Sequence, residues 1–223
     1  MSDAGAEFNP TEAGNPAEPD NPADDLGKRR DRTYAYLKLW RIDTDLTLLP
    51  IVRAPSTMRS SAEVCGRAGA TALAALKGQG LSQLEVFAFA DAYELWDALD
   101  VQENDFILDG DPKPSDHVRY AWKYEQTFVL EWALGLVAHL RLPDAPVSNG
   151  RVTELLMTRV LSLPSDARPS VRPPKELADS ADVAFALQAI ASVPLAPGES
   201  PPAGLLRSVV EERAAAFRWL LAY

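Results

Sequence analysis

The stretch Tyr120–Gly135, YAWKYEQTFVLEWALG, decides how the chain is expected to fold. Numbered along a helix, this stretch and its flanks place six residues on one narrow stripe: Val118, Trp122, Glu125, Val129, Trp132 and Leu136. A helix with such an apolar stripe buries it against the rest of the protein. We therefore predict one long central helix that follows a cap at Ser115 or Asp116 and ends near Leu140.

Glu125 is a carboxylate in the middle of this apolar stripe. A buried charge without a partner is unfavourable, so Glu125 should have a cationic or hydrogen-bonding partner, or else a raised pKa. Arg213, within the apolar stripe of the C-terminal helix, is the first candidate partner, and Arg67 is the second. Arginine suits this role because its guanidinium group can bind a carboxylate through two parallel hydrogen bonds.

Three interpretations of Glu125 follow. The first, which we favour, is a structural ion pair that fixes how the central helix docks on the last helix. The second is a cleft that binds a polar ligand. The third is acid–base catalysis, for which the sequence offers no second group, so we assign no catalytic residue. The candidate binding residues are Trp122, Glu125, Trp132, Arg213 and Arg67.

The rest of the chain also has helical patterns and lacks the alternation of long strands. We predict an all-α fold, a single domain of about seven or eight helices over residues 28–223. A short extended segment near residues 46–54 is the largest departure that we expect from helix and loop. Residues 143–175 form a Pro-rich loop region with one short helix embedded in it.

Three helix starts are marked in the sequence by a capping residue followed three positions later by glutamate. They are Ser60 with Glu63, Ser82 with Glu85, and Asp100 with Glu103. In such a box the first side chain accepts from the backbone N–H of the third helical residue, and the glutamate accepts in return. We therefore expect helices to begin just after these three positions.

The acidity of the chain is concentrated at its N-terminus. The formal net charge is −10, and residues 1–27 hold seven of the 32 acids and no Lys or Arg, which leaves 25 acids against 22 bases. This composition predicts a disordered, acidic, Pro- and Ala-rich tail. The remainder has no basic excess, so we expect no nucleic-acid partner. A weaker alternative is nucleic-acid binding through the Arg- and Lys-bearing segment 151–175.

The cysteine count and the apolar runs favour a cytoplasmic protein without membrane contact. Cys65 is the single cysteine, which excludes an internal disulfide and suits a reducing compartment. The N-terminus has no basic region followed by an apolar run, the pattern of a secretory signal. The longest apolar run, Thr127–Leu140, contains Glu131 and is about 14 residues long, whereas a membrane span needs about 20.

The sequence offers little catalytic or metal-binding chemistry. The two histidines, His117 and His139, are expected near opposite ends of one helix, too far apart to share a metal, so we expect no metal and no cofactor. The interpretation that we favour is a non-enzymatic protein-interaction or accessory module with a protein partner or a homo-oligomeric state. The alternative is a small-molecule-binding protein or hydrolase with a polar site around Glu125 and an arginine.

Five segments also resemble a known family. In chain order they resemble the bacterial domain-of-unknown-function family 4272: RSSAEVCGRA (59–68), LWDALDVQENDFIL (95–108), WKYEQTFVLEWALGLV (122–137), ELADSADVAFAL (176–187) and SVVEERAAAFRWLLAY (208–223). The resemblance covers residues 29–223. It implies a bacterial, largely helical protein, and the family brings no established activity.

The resemblance also singles out individual positions. It implies that seven residues match recurrent family positions: Trp122, Glu125, Trp132, Gly135, Glu212, Arg213 and Trp219. The chain departs from the family at Ala186, Gln188 and Ala189, where members have Arg, His and Trp. A polar site built from those groups in relatives would be weakened in this chain, which favours a non-enzymatic role.

Overall fold

The computed structural model describes residues 22–164, 167–196 and 198–222, with side chains from Leu26 onward. These ranges contain helices, turns and loops but no strand, so the prediction of an all-α single domain is confirmed. The helices are α1 (Pro22–Leu39), α2 (Ser61–Gly78), α3 (Gln83–Ala92), α4 (Val101–Leu108), α5 (Pro114–Ala121), α6 (Tyr124–Ala133), α7 (Asn149–Leu156), α8 (Pro174–Ala191) and α9 (Arg207–Leu221).

Helix α2 lies at the centre of the domain and packs against α3, α4, α5, α6 and α7. Its Ala- and Gly-rich sequence permits this because small residues let neighbouring backbones approach closely. A Cβ atom at Gly78 would lie 2.5 Å from the backbone nitrogen of Ala121 in α5. One at Gly69 would lie 2.6 Å from Cδ2 of Leu95. The centre of the domain is therefore α2 and not the stretch Tyr120–Gly135.

All three predicted capping boxes are present, and both reciprocal hydrogen bonds form in each. They begin α2, α3 and α4. In the first, the Glu63 N–H donates to the Ser60 hydroxyl at 3.2 Å, and the Ser60 N–H donates to the Glu63 carboxylate at 2.7 Å. These helix starts were predictable because every group involved lies within four residues of its partner.

The single long helix predicted around Tyr120–Gly135 is wrong. Helix α5 ends at Ala121, residues 122–123 form a turn, and α6 ends at Ala133. The predicted start was also wrong, because Pro114 occupies the first turn of α5, where proline is favoured. As a result, Val118 is 64% exposed and does not lie on a common buried stripe with Glu125.

Gly135 explains why α6 ends so early. Its φ of +74° lies in the left-handed region, which glycine adopts without a steric penalty. The Leu136 N–H donates to the Glu131 carbonyl at 2.9 Å, and the Gly135 N–H donates to the Trp132 carbonyl at 2.9 Å. This pair of bonds is the Schellman motif, which terminates a helix.

Helices α1 and α8 run parallel, which brings their C-terminal ends together. Arg29 of α1 donates to Asp179 of α8 at 2.7 Å, and one turn further along Thr33 donates to Asp182 at 2.6 Å. The last turns of both helices then share one apolar cluster with the start of α9. This cluster comprises Leu37, Ile42, Leu46, Leu142, Ala186, Leu187, Ile190, Leu205 and Val210.

The N-terminal boundary differs from the prediction. Residues 1–21 lie outside the described residues, so for them the predicted disordered tail stays a prediction. Helix α1 begins at Pro22, so the last six residues of the predicted tail, 22–27, are helical. Residues 50–58 form an irregular segment, and Val52 within it has its N–H bound by Asp182 and its carbonyl bound by Arg29. Side chains therefore replace the strand partner that this segment lacks.

Candidate functional site

Glu125 is closed off from solvent and paired with Arg213. The residue is 1% exposed and Arg213 is 5% exposed. Arg213 Nε donates to Glu125 Oε2 at 2.9 Å, and the Val147 N–H donates to Glu125 Oε1 at 2.7 Å. Arg213 Nη1 donates to the Arg141 carbonyl at 2.6 Å. The pair therefore connects α6, α9 and the loop that follows α6.

One hydrogen-bonding group of this pair stays unused within the part of the chain that the structure describes. Arg213 Nη2 is buried there without a hydrogen-bond partner. Beside Arg213 lies a cavity of about 40 Å³, also lined by Tyr36 and Arg141. Cavities that hold drug-sized ligands are roughly 300–1,000 Å³, so this one is too small for such a ligand.

Arg67, the second candidate partner of Glu125, belongs to a different ion pair. Its two terminal nitrogens donate to the two oxygens of Glu103 at 2.5 and 2.8 Å. Lys123 Nζ lies 2.8 Å from the same carboxylate. Burial would raise the pKa of Glu103, but the charges of Arg67 and Lys123 outweigh it and hold the pKa below its ordinary value. This pair was not predicted, because the sequence pattern assigns Glu103 only a capping role.

The two tryptophans of the predicted cleft have other surroundings. Trp122 is half-buried in the turn between α5 and α6. Trp132 is 5% exposed and packs edge-on against Phe217, with ring centroids 5.7 Å apart. The Arg172 guanidinium lies over its ring at 4.9 Å. A ligand-binding role for the five candidate residues stays a prediction, and only Glu125 and Arg213 are brought together as a pair.

Glu131 is the buried carboxylate that the sequence analysis overlooked. It is 1% exposed, and both of its oxygens lack a hydrogen-bond partner within the described ranges. Burial raises the pKa of Glu131 to about 8, against a smaller lowering by the charge of Arg151. The signal was its position inside the apolar run Thr127–Leu140. At neutral pH this carboxyl group is mostly protonated and uncharged.

Glu212, which the family resemblance singled out, lies against α6. Gln126 Nε2 donates to Glu212 Oε2 at 2.6 Å. Burial raises the pKa of Glu212, and the hydrogen bond from Gln126 and the charge of Lys123 act in the opposite direction. Three of the four residues 123–126, at the start of α6, therefore have polar partners: Lys123 binds Glu103, Glu125 binds Arg213 and Gln126 binds Glu212.

The histidines are not at the two ends of one helix. His117 lies in α5, where Nδ1 is 3.2 Å from the Lys77 carbonyl and the ring meets Phe106 edge-on. His139 is exposed in the loop after α6. Over the described ranges, no group of three or more His, Cys, Asp or Glu side chains could hold a metal ion.

Six large apolar side chains are exposed within a few residues, along the chain, of the cluster shared by α1, α8 and α9. We call this surface the apolar end. It comprises Leu39 (79% exposed), Trp40 (43%), Leu48 (95%), Val193 (61%), Leu195 (45%) and Leu206 (36%). Leu39 is the last residue of α1, and Trp40 and Leu48 follow it. Val193 and Leu195 follow α8, and Leu206 precedes α9. Their chain neighbours Leu37, Leu46, Ile190 and Leu205 are buried in the cluster beneath.

The fold and these sites define a class of protein: a small all-α domain with buried ion pairs and an exposed apolar end. Among the described helices, none is long and apolar enough to cross a membrane. The family model described as "Domain of unknown function (DUF4272)" matches residues 29–223, and the chain belongs to this family. Neither the curated proteins nor the solved structures gave a match.

Proposed function

We propose that this protein is a non-enzymatic interaction module that self-associates through the apolar end. The observation that carries the proposal is the exposure of Leu39 and Leu48, at 79% and 95%, next to an apolar cluster. Single exposed leucines are ordinary on protein surfaces, but several large apolar side chains exposed beside one apolar cluster are a candidate interaction site. Trp40 adds an aromatic side chain of the kind that is enriched in interfaces.

A second copy of the chain fits this surface because its rim carries both signs of charge. Lys38 and Arg41 are exposed on one part of the rim, and Asp43 and Asp45 are exposed just beyond them in the chain. In a twofold-symmetric dimer the same surface contacts itself, so basic groups of one copy can face acidic groups of the other. Burial of the leucines then supplies the main favourable term.

The alternative function, a small-molecule site around Glu125 and an arginine, has less support. Glu125 and Arg213 are almost fully buried, and the adjoining cavity of about 40 Å³ holds no ligand of ordinary size. A ligand would have to open the contact between α6 and α9. A thermal-shift screen that finds a ligand for the wild type but not for Glu125→Gln would favour this alternative.

Sedimentation velocity over a range of protein concentrations tests the proposal. We expect a reversible dimer for the wild type and a monomer for the double variant Leu39→Ser/Leu48→Ser. The matched control is Leu84→Ser/Val101→Ser, which replaces residues that are 80% and 77% exposed on α3 and α4. A wild type that stays monomeric at every concentration, or a dimer that both double variants leave intact, would contradict the proposal.

A further inference from the structure

A cleft of about 640 Å³ lies beside the N-terminal half of α2, on a surface that does not include the apolar end. We call it the α2 cleft. Cys65, Gly66 and Arg67 of α2 form one wall, and residues 93–95 and 97–100 form another. The remainder is lined by Arg59, Ala62, Glu63, Leu161, Arg168 and Trp219. Its volume falls in the range of roughly 300–1,000 Å³ that is usual for small-molecule sites.

Arg168 is the unusual member of the α2 cleft. Its Nε atom is buried without a hydrogen-bond partner, and no ion pair of Arg168 is found in the described part of the chain. Its charge acts on the thiol of Cys65: burial raises the pKa of Cys65, and Arg168 lowers it in part. A half-buried guanidinium normally has acceptors, because leaving its donors unsatisfied is unfavourable. The α2 cleft therefore contains an arginine whose buried Nε has no acceptor among the described residues.

A second cleft of similar size contains arginines that do have carboxylate partners. It has a volume of about 650 Å³ and is lined by Arg32 and Arg172, among others. Arg32 pairs with Asp179 at 2.8 Å, and Arg172 pairs with Glu176 at 2.9 Å. The arginines of that cleft are thus neutralised within the chain. Arg168 in the α2 cleft is not, although both clefts have room for a ligand.

Arg59 lies in the same cleft and is held in a fixed orientation. Its guanidinium stacks on the Trp219 ring at 4.1 Å, and its Nε donates to the Trp219 carbonyl at 2.7 Å. Its remaining ionic contact is a long one, 3.8 Å to the exposed Glu63. Stacking an arginine on an aromatic ring leaves the edge of the guanidinium free to bind an anion. Arg59 can therefore assist Arg168.

The opposite wall of the α2 cleft limits what can bind. Glu94, Asp97 and Asp100 are exposed there, so a polyanion such as a nucleic acid would be repelled. Leu99 and Leu161 supply apolar surface between the two walls. From this arrangement we propose that the α2 cleft binds a small ligand with one carboxylate or phosphate group, held by Arg168 and Arg59, and an apolar or aromatic body.

Calorimetric titration with benzoate, phenyl phosphate and neutral benzamide tests this site. We expect the wild type to bind at least one of the two anions and not benzamide. The anion with the higher affinity shows whether the site prefers a carboxylate or a phosphate group. Arg168→Gln should weaken binding roughly tenfold or more, since it removes a charge-assisted hydrogen bond. Arg159→Gln, at an exposed arginine outside the α2 cleft, is the control and should bind as the wild type does.

Two results would overturn the inference. One is the absence of binding of both anions by the wild type at millimolar concentrations. The other is equal affinity of Arg168→Gln and the wild type. If Arg168→Gln does not fold, NMR spectra of the wild type titrated with the anion replace the comparison. Shifts of the Cys65 and Gly66 amide resonances and the Trp219 indole resonance support the site. Shifts confined to other residues contradict it. Neither readout depends on the oligomeric state, so failure of the dimer proposal leaves this test intact.

Discussion

The start of α6 and the apolar end differ in which side chains are buried: charged groups are buried at the first, and large apolar groups are exposed at the second. Around α6, charged groups such as Glu125 and Arg213 are buried at 1% and 5% exposure. At the apolar end, Leu39 and Leu48 are 79% and 95% exposed. Buried charges require internal partners, and exposed leucines gain from an external one. The difference separates the residues that hold the domain together from those that we propose to act outside it.

Replacing Arg213 should have the largest effect on stability. Arg213→Ala leaves Glu125 buried without its cation, which we expect to lower the free energy of unfolding by about 3–5 kcal/mol. Urea unfolding followed by tryptophan fluorescence measures the change. Arg207→Ala on the same helix is the control: its ion pair with Glu211 is exposed and should contribute only about 0.5 kcal/mol. Similar losses for both variants would mean that burial of the pair does not matter.

Replacing Glu131 should have a smaller effect than replacing Arg213, and it should stabilise the protein instead of destabilising it. Its pKa is about 8 in the folded protein and near 4.5 when unfolded, so only the folded state keeps the proton between those values. The free energy of unfolding should therefore fall as the pH rises from about 5 to about 8. Glu131→Gln carries no charge at any pH, and we expect it to stabilise the protein by about 1–3 kcal/mol at pH 8.

The control for Glu131→Gln is the same comparison in acid. Below about pH 4.5 both states of the wild type carry the proton, so the difference between wild type and variant should be smallest there. Thermal unfolding at matched pH values measures it. A stabilisation that is the same at pH 4 and pH 8 would show that the charge of Glu131 is not its cause.

Gly135 tests where α6 ends. Gly135→Ala places a Cβ atom on a residue with a φ of +74°, which we expect to lower the free energy of unfolding by about 1 kcal/mol. Gly110→Ala is the matched control, because the φ of Gly110 is outside the left-handed region and a Cβ atom there meets nothing within 4 Å. If Gly135→Ala were neutral in chemical denaturation, the Schellman motif would not be what terminates the helix.

Changes at the apolar end should have the smallest effect on stability. Leu39→Ser/Leu48→Ser alters exposed side chains, so the free energy of unfolding of the monomer should change by no more than about 0.5 kcal/mol. Unfolding at low protein concentration, where any dimer is dissociated, measures this term alone. A loss comparable to that of Arg213→Ala would place these leucines in the folded core.

Much of the fold was predictable, because its signals are local. The capping boxes at Ser60, Ser82 and Asp100 each involve atoms within four residues. The end of α6 was missed because an apolar pattern outweighed Gly135, a single residue that stops a helix. Periodicity alone therefore overestimates helix length where glycine follows an apolar run.

The sites were less predictable, because their signals are not local. Arg213 was proposed as the partner of Glu125 from its position on an apolar stripe, and the two are 2.9 Å apart. The sequence does not show that Glu125 has an arginine partner, whereas the oxygens of Glu131 have no hydrogen-bond partner among the described residues. The same holds for Arg168, whose buried Nε has no hydrogen-bond partner among the described residues. Such differences arise only when the helices are packed.

Amide hydrogen exchange at low and high protein concentration tests most directly the claim that the apolar end joins two copies of the chain. We predict concentration-dependent protection within residues 38–49 and 192–196, with little change in α3 and α4. The double variant Leu39→Ser/Leu48→Ser should show no such protection. Exchange that is independent of concentration, or protection confined to another surface, would contradict the account.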